Sequence, residues 1–193
     1  TLDIEPLLGL ILDQLAEIVD YRETVIYELI SEGDDDGQPL AGTQEVRVLD
    51  YRGPLACGDV QATRFSLVEG LGLERTIRQR TPLIVADLQG DGPDERAWRA
   101  EALPAEQKLL EGSRSLLAVP LVAKDRVIGL LQIGNSVPGR LTRREADLAQ
   151  ALASHAAVAI ENAQLYGKAR ELAALEERQR LARELHDSVT QTL

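Results

Sequence analysis

The sequence predicts an α+β domain, an antiparallel sheet with helices packed on it, from which one very long coiled-coil-forming helix runs to the carboxy end. Three observations predict this. S-L-L-A-V-P-L-V-A, a Lys124-Asp125 turn and R-V-I-G-L-L-Q-I-G-N read as two long strands in an antiparallel hairpin. Apolar residues Leu7, Leu8, Ile11, Leu12, Leu15 and Ile18 recur at three- and four-residue steps, as on one face of a helix. Beyond Thr142 there is no proline and one glycine, Gly167, so about 50 residues of helix are expected, far beyond the roughly 8–20 of a globular helix.

The elements follow in order. After the opening helix, T-V-I-Y-E-L-I (24–30) and E-V-R-V-L-D-Y (45–51) are β-branched, aromatic and partly alternating, which predicts two strands. The turn-rich S-E-G-D-D-D-G-Q-P separates them. Residues 54–112 are mixed: a helix from Leu73 to Arg80, an apolar run from Pro82 to Leu88, a loop Q-G-D-G-P-D, and one charged helix near Glu95 to Leu110. After the hairpin, Thr142 followed three residues later by Glu145 fits a capping box opening the last helix. A helix that long must pack on something outside the domain, and a parallel copy of itself in a homodimer is the expected partner.

Composition narrows the function. The formal net charge is -11 over 193 residues, which disfavours nucleic acid and anionic membrane as partners, because both need clustered positive charge. The single cysteine, Cys57, cannot pair within the chain, and no Cys/His spacing resembles a zinc site, so a reducing, cytoplasmic setting is expected. No apolar run approaches the roughly 20 residues that span a bilayer, although a full-length protein could be anchored elsewhere. The start at Thr1, the lack of methionine and the end at Leu193 in mid-pattern suggest a piece of a longer protein.

S-L-L-A-V-P-L, V-I-G-L-L-Q-I, L-T-R-R-E-A-D-L and A-L-A-S-H-A-A-V-A-I-E-N-A-Q-L-Y, with V-E-G-L-G and T-P-L-I-V-A-D-L upstream, resemble the GAF domain family in order and spacing. The resemblance spans about residues 5–166 and implies a sheet of five or six antiparallel strands, helices on one face and a small-molecule pocket on the other. It divides the chain into a GAF sensory domain (1–166) and a signalling helix (167–193). Residues 177–191, E-R-Q-R-L-A-R-E-L-H-D-S-V-T-Q, resemble the H-box of sensor histidine kinases that partner response regulators with helix-turn-helix output domains. Carried over, His186 would accept phosphate from ATP, Asp187 would be the adjacent acid/base, and Gln191 would position water for dephosphorylation. The chemistry suits the residue types: a neutral imidazole offers a ring nitrogen as nucleophile, and a neighbouring carboxylate can orient it. The resemblance implies ATP and Mg for the full-length kinase, whose nucleotide-binding domain would lie beyond Leu193; residues 1–193 alone should be inactive.

Other residues have simpler readings. His155, within A-L-A-S-H-A-A-V-A-I, is expected to be packed or dimer-facing. Cys57 lacks the neighbours of a bilin attachment site, and residues 20–140 contain no histidine to hold haem, so neither cofactor is expected. The acidic clusters Asp34–Asp36 and Asp87, Asp91, Asp94 lack EF-hand spacing and read as solvated turns. Asn135, Leu141 and Asp147 loosely echo cyclic-nucleotide-binding relatives, with Ser136 where those carry lysine. Phe65 and Trp98 are candidates for the wall of a ligand pocket, core packing being the alternative. The rival functional readings are a ligand-free dimerisation or spacer module and a non-kinase regulator.

Overall fold

The computed structural model describes residues 4–30, 44–55, 64–67, 72–101 and 104–190. Strands β1 (Glu23–Ile30), β2 (Gln44–Arg52), β3 (Arg64–Leu67), β4 (Leu83–Val85), β5 (Ser115–Ala123) and β6 (Arg126–Asn135) form one sheet in the order β3-β2-β1-β6-β5-β4. Every neighbouring pair is antiparallel. The helices are α1 (Ile4–Ile18), α2 (Gly72–Gln79), α3 (Pro93–Glu101), α4 (Pro104–Leu109) and α5 (Arg143–Thr190).

Alternation along the strands builds two cores, one on each face of the sheet. On the first face Ile26, Leu117, Val119, Leu131 and Ile133 meet α1 and α5. Leu8, Leu12 and Leu15 of α1 are fully buried there, each contributing about 1.5–3 kcal/mol. Helix α5 lies on the same face through Ala146, Ala149, Ala153, Ala156 and Ala157, all buried, before Ile160 closes the contact. These alanines recur at helical spacing, and their small side chains let the helix approach the sheet closely. On the second face Val25, Tyr27, Leu29, Val48, Leu116 and Leu130 pack with Leu73 of α2, Trp98 of α3, and Leu109 and Leu110 at the end of α4.

Local chemistry sets the boundaries. Lys124 and Asp125 have φ of 46° and 62°, so the β5–β6 connection is a two-residue turn with both central residues left-handed, as the twist of a tight hairpin favours. At the start of α5 the Thr142 N–H donates to Glu145 Oε2 at 3.0 Å and the Arg144 N–H donates to Thr142 Oγ1 at 3.3 Å. The cap therefore forms as Thr142 and Glu145 predict, with the hydroxyl serving the second helical N–H.

One expectation is corrected and one is completed. The charged helix expected over Glu95 to Leu110 is two helices, α3 and α4. The second opens on Pro104, a residue suited to a first helical position. Strand β3, the sixth strand that the resemblance allows, had no place assigned within the mixed stretch 54–112; it is four residues long and pairs with Gln44–Arg47. The loop at 31–43, including Asp34–Asp36, and Cys57 lie outside the described residues.

Candidate functional site

The second face of the sheet, where the family resemblance places a ligand, carries buried polar groups from the two central strands. Val25 of β1 stands opposite Gln132 of β6, and Tyr27 is diagonal to it. The Tyr27 hydroxyl donates to Gln132 Oε1 at 2.6 Å, and both side chains are buried. Two residues earlier on β1, Glu23 stands opposite Gly134. A Cβ on Gly134 would collide with the Glu23 carboxylate and the Ser113 hydroxyl, so the glycine leaves the space those two occupy.

Ser113 Oγ donates to Glu23 Oε1, and Arg22 Nη1 approaches Glu23 Oε2 at 3.2 Å while also donating to the Glu111 carbonyl at 2.8 Å. Burial pushes the Glu23 carboxyl above its ordinary range, partly opposed by the Ser113 hydrogen bond and the Arg22 charge. Trp98, at 5% exposure, lies in the apolar cluster of this face, which is the packed alternative for that residue. The backbone of Phe65 pairs with Val46, which belongs to the same cluster.

Nothing in local sequence links Glu23 to Ser113 or Tyr27 to Gln132, yet a usable signal existed. Glu23 opens E-T-V-I-Y-E-L-I, and Gln132 interrupts G-L-L-Q-I-G-N, each a polar residue within an apolar strand. Buried polar side chains require partners. Asn135, expected as a faint ligand echo, is held structurally: its Nδ2 donates to the Asp20 carbonyl and its Oδ1 accepts from the Val137 N–H, both at 2.8 Å.

The second candidate region is the far part of α5. His186 and Asp187 both lie on this helix, and Gln191 lies outside the described residues. Helix α5 continues without interruption from the sheet-packed Ala146 to Thr190. His186 is 26 residues past Ile160, about 39 Å along a helix. Between them Leu165, Tyr166, Leu172, Leu175 and Leu181 are exposed at 45–61%. His155 is not packed within the chain: it is exposed on α5, with Ala153, Ala156 and Ala157 taking the face toward the sheet. Among the described residues no helix is long and apolar enough to cross a membrane.

Comparisons with known proteins bear on the family of the domain and on the far part of α5. A model described as histidine kinase matches residues 177–193. The GAF domain of a two-component sensor histidine kinase from Bacillus halodurans is similar, at 17% identity and a TM-score of 0.62, over 86% of this chain and 99% of that one. A GAF domain/HD domain protein from Geobacter sulfurreducens has 20% identity and a TM-score of 0.62 over 84% and 95%. The GAF domain of a phosphoenolpyruvate-protein phosphotransferase from Coxiella burnetii has 20% identity and a TM-score of 0.61 over 87% and 88%. At these identities the likeness establishes the fold, and the family follows from the GAF domain model, which matches residues 3–160. The chain belongs to the GAF domain family.

Proposed function

We propose that this chain is the sensory and dimerisation part of a two-component sensor histidine kinase, in which residues 1–166 receive a signal and His186 accepts phosphate from ATP. The observation that carries the reading is the single helix α5, which joins the sheet-packed Ala146–Ile160 to the segment matching histidine kinases. A rearrangement of the sheet core would shift Ala153, Ala156 and Ile160 and so rotate or tilt the helix bearing His186. Asp187 orients the imidazole, and Gln191 positions water for phosphate loss. The partners are a second copy of the chain, paired in parallel along Leu165, Leu172 and Leu175, and the receiver domain of a response regulator with a helix-turn-helix output domain. Mg and ATP enter with a catalytic domain of the full-length protein.

The second-face polar groups favour a second reading of the GAF domain itself. Tyr27 with Gln132, and Glu23 with Ser113, satisfy each other, as a packed spacer without ligand would require. Insertions after Gly167 in the full-length protein test the transmission reading. Seven residues preserve the phase of a heptad seam and four break it, so signal-dependent kinase activity should survive the first and be lost or locked by the second. Equal activity in both would overturn it.

A further inference from the structure

The first face of the sheet holds a cleft of about 530 Å³ where α5 leaves the domain, on the opposite side from the expected ligand pocket. Its charge runs against that of the molecule. In a chain of formal net charge -11, the described lining of the cleft gathers Arg47, Arg64, Arg126 and Lys168 around one carboxylate, Glu28.

Strand register explains the clustering. Arg64, Arg47 and Glu28 form one rung across β3, β2 and β1. On β6 the pairing passes from Leu121↔Gly129 to Val122↔Val127, leaving Ile128 as an extra residue. This bulge changes the phase of the strand and brings Arg126 to the same face. Glu28 is nearly buried and already committed: it accepts from Arg47 Nε at 3.0 Å and from Gln164 Nε2 of α5 at 2.7 Å. Among the described residues Arg64, Arg126 and Lys168 form no ion pair, so three cations face the cleft without a described counter-charge.

We propose that this cleft binds a small organic polyanion, two or three negative charges carried on phosphate or carboxylate groups. Guanidinium forks match both groups geometrically, the three cations without a described counter-charge set the valence, and the volume is that of a metabolite-sized ligand rather than a lone inorganic ion. Ile30 and Ile128 supply an apolar wall for the uncharged part. Because Gln164 and Lys168 belong to α5, the anion touches the helix that leaves the domain. Only the further step, that it thereby influences His186, rests on the kinase reading.

Isothermal titration of residues 1–193 with pyrophosphate, ADP and citrate, at low and at physiological salt, tests the binding. At least one probe should bind at both salt concentrations. Pyrophosphate or ADP ahead of citrate identifies a phosphate ligand, and the reverse order a carboxylate ligand. Arg64→Gln with Arg126→Gln should weaken binding about tenfold, as expected for two exposed cations, whereas Arg96→Gln with Arg143→Gln should leave it unchanged. Bound ligand should slow hydrogen exchange at residues 126–130 and 164–168. No binding by any probe, or an equal loss in both double variants, would overturn the proposal. Neither result would bear on phosphorylation of His186, so the two readings fail separately.

Discussion

Replacing Tyr27 by phenylalanine tests whether the polar pair on the second face is a structural unit. The ring would stay in its cluster with Val25, Leu116 and Leu130, and the only atom lost is the hydroxyl that donates to Gln132 Oε1 at 2.6 Å. Gln132 is fully buried, so the amide oxygen cannot recover that bond from bulk water. Losing one partner of a buried hydrogen bond costs about 1–3 kcal/mol. For a domain of this size about 2 kcal/mol lowers Tm by about 4–8 °C. Thermal unfolding followed by circular dichroism reads the shift. A double-mutant cycle with Gln132→Leu isolates the pair: the double variant should lose less than the sum of the single variants, by about 1 kcal/mol. An unchanged Tm for Tyr27→Phe, or strict additivity in the cycle, would refute the claim that this hydrogen bond ties β1 to β6.

Glu23→Gln should remove a pH dependence. With its folded-state pKa raised above the unfolded value, Glu23 binds its proton more tightly in the folded chain, so its ionisation costs stability as pH rises from about 4.5 through the folded pKa. The variant should gain Tm relative to the parent on going from acid to neutral pH; a gap that does not change with pH would contradict the burial argument. Light scattering at micromolar concentration should give about twice the chain mass, because Leu165, Leu172 and Leu175 are each more than half exposed on a lone helix. Cysteines placed singly at positions 172, 179, 182 and 186 should crosslink strongly at 172 and 182 and weakly at 186, if the seam shifts phase before His186. Strict seven-residue steps from Leu165 and Leu172 reach Gln179 and His186 and would bury the proposed phospho-acceptor; equal bridging at 172, 179 and 186 would establish that unbroken seam instead.

What was legible in the sequence was what is encoded locally. The β5–β6 hairpin was readable because two long apolar runs flank a two-residue turn, and α5 because Thr142 and Glu145 mark its start and no proline follows. Strand β3 escaped because four residues carry too little periodicity, and the start of α4 because charged residues lie on both sides of Pro104. The polar pairs of the second face join residues 90 and 105 positions apart; the register of β1 on β6 brings Tyr27 to Gln132, and for Glu23 and Ser113 the pairing of β5 on β6 is needed as well. The cationic cleft depends further on the bulge at Ile128, which no spacing in R-V-I-G-L-L reveals. The segment around His186 is legible for a different reason, as a run in family order, and the histidine kinase model matches residues 177–193.

The central claim is tested most directly by incubating the full-length protein with radiolabelled ATP and Mg and locating the phosphate. Wild-type protein should carry an acid-labile label on the peptide that contains His186. The His186→Gln variant should carry none, with its dimer and fold intact by scattering and circular dichroism. Acid-labile phosphate that persists in the His186→Gln variant would contradict the account.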